Sequence, residues 1–365
     1  MVSWLKCVLP GLYLVLFFYG ETEDIRYFQP ATISIADSSS LVSIPINDSL
    51  YRQEMPRKGG AAGIPVNYYL ELHTGVCFDN KCRPLKIRLY WNITGRYLGF
   101  ELSDGEYLSK QDHEPFVAGE YEQLHELLAD PFLPLGNYAF EDLVGHSASD
   151  HASVDGLSGA TAKDVLAYVV PGAAYTTHKL YQIVHGPVQE QVTALTESGL
   201  DPHLFTEILQ STDQSDRTWA LERLGLLREL NDLVIDGLVG VLLEDEYFQS
   251  YLLLKSITIE QLGSDELQLR IFELIGKVDA GIENLIFDRL AEAAHLNPAV
   301  VDHSMENLSQ VNGPQLVKLL KLYSAHSIHS ARLNEALGRM IPHENGFVER
   351  QVLQFLEKHD SIPDQ

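Results

Sequence analysis

The chain reads as α+β, an N-terminal antiparallel-sheet domain followed by an all-α half built as helical repeats or as a bundle. Three observations predict this class. Residues 67–102 alternate apolar and polar side chains with a period of two, broken by short turns. From about residue 190 the apolar positions fall at i, i+3 and i+4, and Asx-Pro, Ser-Asp and Gly-Pro pairs recur at roughly 15–18-residue intervals. At 365 residues, finally, two domains are the default expectation.

The charge balance limits the partners. With 51 acidic and 26 basic residues the formal charge is −25, and such a surface repels the phosphates of nucleic acid.

Residues 1–20 have the character of an export signal. Lys6 is the sole early charge, and Val8 to Tyr19 form an apolar run, interrupted by Pro10 and Gly11, that is short for a membrane span. Gly20 suits a cleavage site and Phe18 does not, so a removable signal peptide and an N-terminal anchor with membrane association both stand. Residues 21–65 mix Pro, Gly and charged positions without periodicity and are expected to be linker. The expected domains are then 66–189, with the sheet, and 190–365, all helical and folding apart because its capping and periodicity are local.

Asn67 to His73 has strand composition, Leu85 to Trp91 alternates as a half-buried strand must, and Tyr97 to Leu102 follows the turn Asn92-Ile93-Thr94-Gly95. An antiparallel meander is the simplest reading. Asn92-Ile93-Thr94 is also a glycosylation sequon, as are Asn47-Asp48-Ser49 and Asn307-Leu308-Ser309, and turn chemistry explains Asn92 without a glycan. Between the first two strands, Cys77 and Cys82 flank Phe78-Asp79-Asn80-Lys81. A two-residue turn at Asp79-Asn80 makes Phe78 and Lys81 a hydrogen-bonded pair and the cysteines the next, closer pair, a separation a disulfide can bridge. Export favours that bond. A zinc site lacks a second cysteine pair, and the spacing is not that of a thioredoxin-like couple.

Glu120 to Leu128 is a helix with Leu124, Leu127 and Leu128 on one face, stopped by Pro131 and Pro134. His113, Glu114, His125 and Glu126 do not make a metal site, since Pro115 separates the pairs and acidic residues at a helix start account for Glu120 and Glu122.

The polar stretch Gly145 to Ser153 leads into Val154-Asp155-Gly156-Leu157-Ser158-Gly159-Ala160-Thr161, a loop feeding a helix. Gly156 and Gly159 give backbone freedom, and the loop sets hydroxyls beside unpaired N–H groups of the kind that hold phosphate. Asp155-Gly156-x-Ser158-Gly159-Ala160-Thr161 resembles, at every position, the flavinylation motif of FMN-binding domains such as those of sodium-translocating and Rnf-type respiratory complexes. In that family the last threonine carries FMN through a phosphoester, installed by a flavin transferase from FAD, so the resemblance implies covalent FMN on Thr161 with Asp155, Gly156, Ser158, Gly159 and Ala160 forming its loop. A Glu-Thr-Pro-Gly-Leu-Gly-like segment does not occur upstream. The run from Cys77 to about Gly186, with Asp112-His113-Glu114-Pro115-Phe116 and Val170-Pro171-Gly172-Ala173, further resembles bacterial exported proteins that carry this domain. The bland alternative is a pair of turns with Ser158 or Thr161 as an ordinary helix cap.

A short helix is expected to about Tyr168. Tyr175, Thr176 and Thr177, after the Pro171-Gly172 breaker, are then candidate neighbours of a flavin ring, with core packing an equal account of Tyr175. In the second half, helix starts are expected near Asp201-Pro202, Ser215-Asp216, Ser264-Asp265, Asn297-Pro298 and Gly313-Pro314, and HEAT-like pairing follows from their spacing.

Two functions compete. One is an exported, periplasmic or otherwise extracytoplasmic electron-transfer flavoprotein, matured by a flavin transferase and serving an unknown redox partner protein. The other is a non-catalytic helical-repeat scaffold with a relic FMN-binding domain. The chain has no nucleophile and base pair and no nucleotide-binding glycine fingerprint, so redox chemistry would have to come from the flavin, and enzyme status stays open.

Overall fold

The computed structural model describes residues 25–30, 32–33, 44–47, 50–52, 67–74, 85–110, 113–139, 165–244, 246–342 and 345–360. The export-signal residues 1–20, the Cys77–Cys82 pair and the motif from Asp155 to Thr161 lie outside them. Six strands are described: β1 (Arg26–Phe28), β2 (Ile44–Asn47), β3 (Leu50–Arg52), β4 (Asn67–Thr74), β5 (Leu85–Asn92) and β6 (Tyr97–Leu102). β1, β6, β5 and β4 form one antiparallel sheet in that order, and β2 pairs with β3 as a separate hairpin.

The alternation of β5 decides which face is core. Leu85, Ile87, Leu89 and Trp91 are buried on one side, while Lys86 and Arg88 point to the other. Leu89 pairs with Leu70 of β4 and Phe100 of β6, so the same face is apolar across three strands. β1 lies in the stretch expected to be linker. It is three residues long and carries no local signal, and it exists by pairing with β6, where Tyr27 lies opposite Phe100. Gly99 permits this pairing, because a Cβ there would sit 2.2 Å from the Tyr27 carbonyl oxygen.

Helix α1 (Ala118–Ala129) packs on β6 and β1 through Tyr121, Leu124 and Leu128. Its end before Pro131 is where proline should stop it. Helices α2 (Ala174–Val184) and α3 (Pro187–Ser198) follow. A boundary at residue 190 falls within α3, and α3 is stitched to the β5–β6 turn. Gln189 Nε2 donates to the Gly95 carbonyl at 2.9 Å, Thr193 Oγ1 to Thr94 at 3.3 Å and Thr196 Oγ1 to Ile93 at 2.5 Å. The Trp91 indole donates to the Val184 carbonyl at 2.9 Å, so the sheet and the first helices share one core.

Beyond α3 run α4 (Pro202–Leu209), α5 (Gln214–Glu222), α6 (Asp232–Leu243), α7 (Tyr247–Ser256), α8 (Asp265–Phe272), α9 (Ala280–Glu292), α10 (Pro298–Glu306), α11 (Gly313–Ala325), α12 (Ala331–Gly338) and α13 (Gly346–Asp360). Every start but that of α7, which has no side-chain cap, has a chemical cause. Asp201, Asp213, Asn231, Ser264, Asp279, Asn297, Asn312 and Ser330 accept backbone N–H bonds as caps, and Pro202, Pro298 and Pro314 stand in first turns where no N–H is needed. The start expected at Ser215-Asp216 is displaced slightly, because Asp213 is the cap. Alternate helices stack into two rows: α4, α6, α8 and α10 form one, and α5, α7, α9, α11 and α13 the other. Buried glutamines tie successive elements, with Gln268 donating to the Leu262 and His295 carbonyls and accepting from the Asn297 N–H.

Candidate functional site

The flavinylation-like loop belongs to residues 140–164, which the structure does not describe, and what is described is how the chain enters and leaves it. Both sides are held by α2. On the entry side a 3-10 turn (Pro134–Asn137) packs on α2, where Gln182 Nε2 donates to the Leu135 and Gly136 carbonyls at 3.3 Å and the Tyr181 hydroxyl reaches the Asp130 carbonyl at 3.0 Å. The His178 Nε2 bonds the Tyr138 carbonyl at 2.9 Å. On the exit side Val165, Val169 and Val170 are buried, and a second 3-10 turn (Leu166–Tyr168) stands where a short helix to Tyr168 was expected. The Val170 N–H donates to Thr177 Oγ1 at 3.2 Å, and that hydroxyl donates to the Ala173 carbonyl at 2.9 Å. Consecutive residues of one helix, Thr177 and His178, therefore grip the chain on either side of the loop.

This placement sorts the expected ring neighbours. Thr176 and Thr177 are buried, and Thr177 has committed its hydroxyl to the backbone. Tyr175 is half-buried, with Lys179 Nζ 5.8 Å from its ring centroid, and burial lowers the Lys179 pKa. Tyr175 and Lys179 thus give the outer side of α2 an aromatic face and a cation.

A second constellation escaped sequence reasoning. Asp216, in the first turn of α5, is fully buried. Its carboxylate accepts from Asn92 Nδ2 at 2.6 Å, Thr94 Oγ1 at 2.8 Å, Thr32 Oγ1 at 2.7 Å and Ser211 Oγ at 2.8 Å. Arg96 donates to both carboxylate oxygens at 3.2 Å and continues to Gln29 and Thr32. Burial acts to raise the Asp216 pKa, but the Arg96 bond and charge with the hydroxyl donors outweigh it and hold the group below the ordinary carboxylate range. Asn92 meanwhile builds the turn, its Oδ1 accepting from the Thr94 and Arg96 N–H groups. The signal that was available is modest: Asn-x-Thr-x-Arg in a turn is an unusual density of donors for so short a segment.

On the other face of the sheet, Glu101 gathers Tyr90 at 2.7 Å, Arg88 at 2.8 Å and Arg26 at 3.0 Å beside an open cleft of about 420 Å³. Burial acts to raise the Glu101 pKa, and the Tyr90 and Arg88 bonds with the Arg26 charge lower it further than that. Arg88 also pairs with Glu71 at 3.2 Å, so the cleft's cations are matched internally. His125 turns inward to the Tyr97 hydroxyl at 3.2 Å, and burial lowers its pKa. Among the described residues no group of three or more His, Cys, Asp or Glu side chains converges as metal ligands. Compared with known families, curated proteins and solved structures, the chain matches none.

Proposed function

We propose that this chain is an exported flavoprotein that carries FMN covalently on Thr161 and relays electrons outside the cytoplasm. The observation that carries the reading is the motif Asp155-Gly156-x-Ser158-Gly159-Ala160-Thr161, complete at every specified position. Attachment forms a bond from Thr161 Oγ to the FMN phosphorus and breaks the pyrophosphate bond of FAD, with AMP leaving and the hydroxyl proton passing to a base of the flavin transferase. Once bound, the flavin supplies reversible electron transfer that no side chain here supplies alone.

The chain's own residues would have separate tasks. Gly156 and Gly159 would let this stretch enter the transferase, backbone N–H groups after Thr161 would hold the phosphate, and Lys163 would add charge. Asp155, an anion, serves recognition by the transferase rather than the phosphate it would repel. The grip of α2 on both flanks supports the reading, because it holds the two ends of the segment on one helix. In this proposal the sheet with α1 and α2 is an FMN-binding-like domain, the two-row helical half is a HEAT-like repeat that docks the redox partner, and Cys77–Cys82 is a disulfide. Residues 1–20 direct export or anchor the chain. No helix among the described residues is long and apolar enough to cross a membrane.

A scaffold with a relic flavin domain is the second reading, favoured by the exposed aromatic side chains Tyr247, Phe248 and Tyr251 of the helical half. In-gel fluorescence after denaturation separates the two. Protein from its native host should carry flavin that survives denaturation, and a colourless, non-fluorescent band would leave the scaffold.

A further inference from the structure

The outer side of the α6–α7 corner is apolar, in a chain that is otherwise strongly acidic. Tyr247, Phe248 and Tyr251 of α7 are 55%, 62% and 42% exposed, and Leu243 at the end of α6 is 53% exposed. The opposite side of α7 is buried through Gln249, Ser250, Leu253 and Leu254, where the helix packs on α5, α6 and α9. A helix with large apolar side chains on two sides belongs between two layers, and among the described residues only one of those layers is present.

The surface is also shaped. Tyr247 and Tyr251, one turn apart, stack with centroids 6.4 Å apart, and Lys255 Nζ lies 5.9 Å from the Tyr251 centroid. Tyr247 is laid against the start of α9, where a Cβ on Gly281 would come within 3.1 Å of its ring. Beside this ridge runs a groove of about 240 Å³, floored by Leu242, Ser250, Val278 and Ile282 and edged by Lys277 and Asp279. Scattered exposed apolar residues need no explanation, but contiguous aromatics beside an apolar groove have the composition of a binding centre.

Charge identifies the occupant. Residues 231–290 contain twelve acidic and four basic side chains. Arg270 is engaged by Asp236 and Glu266, Arg289 by Glu292 and the Ile257 carbonyl, and Glu244 by Arg217, which leaves Lys255 and Lys277 beside Glu246 and Asp279 in this acidic stretch. Such a rim repels an anionic membrane and a second copy of a chain with charge −25. We propose that the ridge and groove bind an amphipathic helix of a partner protein whose apolar face is edged by lysine and arginine. Its apolar side chains at i, i+3 and i+4 enter the groove against Tyr247 and Phe248, and its basic edge meets Glu246 and Asp279. The surface lies far along the chain from Thr161, and its use is independent of the flavin.

The test uses the full chain and two fluorescein-labelled 18-residue amphipathic helices, one of leucine and lysine and one of leucine and glutamate. Fluorescence anisotropy should show binding of the lysine peptide alone, weakened by rising salt. The double substitution Phe248→Ser/Tyr251→Ser, at exposed positions, should weaken it at least about tenfold, and Glu246→Lys about threefold. Circular dichroism of both variants should match the parent. No binding of the lysine peptide, equal binding of the glutamate peptide, or binding indifferent to Phe248 and Tyr251 would overturn the proposal. So would self-association in sedimentation, or capture by phosphatidylglycerol vesicles, that depends on the same two aromatics.

Discussion

Replacing Asp216 by alanine tests how the sheet is joined to the helices. The substitution removes a fully buried carboxylate on which Thr32, Asn92, Thr94, Arg96 and Ser211 converge. Breaking a buried hydrogen-bonded ion pair by deleting one partner costs about 3–5 kcal/mol, because the other charge stays behind. The Arg96 side chain is 15% exposed and has Asp213 at 3.5 Å, which offsets part of that penalty, so we expect about 3 kcal/mol. Urea unfolding at neutral pH followed by tryptophan fluorescence reads this locally. Trp91 adjoins Asn92, Trp219 lies one turn beyond Asp216, and the only other tryptophan is Trp4. In a double-mutant cycle with Arg96→Ala the coupling should be about 1–3 kcal/mol. The pH dependence has a definite sign. A carboxyl whose folded pKa is depressed stabilises above its unfolded value, near 3.9, and that stabilisation is lost as pH falls through the lower folded value. The gap between parent and variant should therefore be full at pH 6 and close below about pH 4. A variant within about 1 kcal/mol of the parent at pH 6, or a strictly additive cycle, would refute the buried-pair account.

Gly95 has φ of 85°, and a Cβ there would lie 2.7 Å from Thr193 Oγ1. Gly95→Ala should cost about 2 kcal/mol from backbone strain and clash, and Thr193→Ala in the same chain should restore part of it; equal midpoints for Gly95→Ala and parent in urea would exclude the close approach. Thiol alkylation of exported protein should label Cys77 and Cys82 only after reduction, and two freely labelled thiols in folded, oxidised protein would remove the proposed disulfide. Thr161→Ala should lose all covalent flavin and shift stability by no more than about 1 kcal/mol, while Thr161→Ser should keep some modification; in-gel fluorescence and urea midpoints check both, and flavin retained by Thr161→Ala would move the attachment elsewhere.

The parts of the fold legible in the sequence are those whose causes are local. β4, β5 and β6 follow from alternation between turn residues, and α4, α8, α10 and α11 from Asp201-Pro202, Ser264-Asp265, Asn297-Pro298 and Gly313-Pro314. β1 was not legible. Its three residues are a strand only because Tyr27 meets Phe100 across a gap that Gly99 opens. Asp216 is the sharper case, since an acid in the first turn of a helix has the same local pattern whether it faces water or five converging donors. Burial is decided by the β5–β6 turn, more than a hundred residues earlier, and the same contact carries the core across the expected boundary at 190. Tyr247, Phe248 and Tyr251 pose the converse problem: apolar residues at helical spacing are normally core, and only the stacking of α7 on α5 and α9 shows which side was left open. The proposed flavin site rests on the sequence of Asp155 to Thr161, which lies outside the described residues, whereas the hold of α2 on the chain at either side needed the fold.

The proposed flavin phosphoester sits on a single residue, Thr161. Peptide mass spectrometry on the full chain, co-expressed and exported with an active flavin transferase, tests it most directly. The account predicts an FMN phosphoester on the peptide containing Thr161 and on no other. An unmodified Thr161 peptide, in cells where the same transferase flavinylates a control substrate, would contradict it.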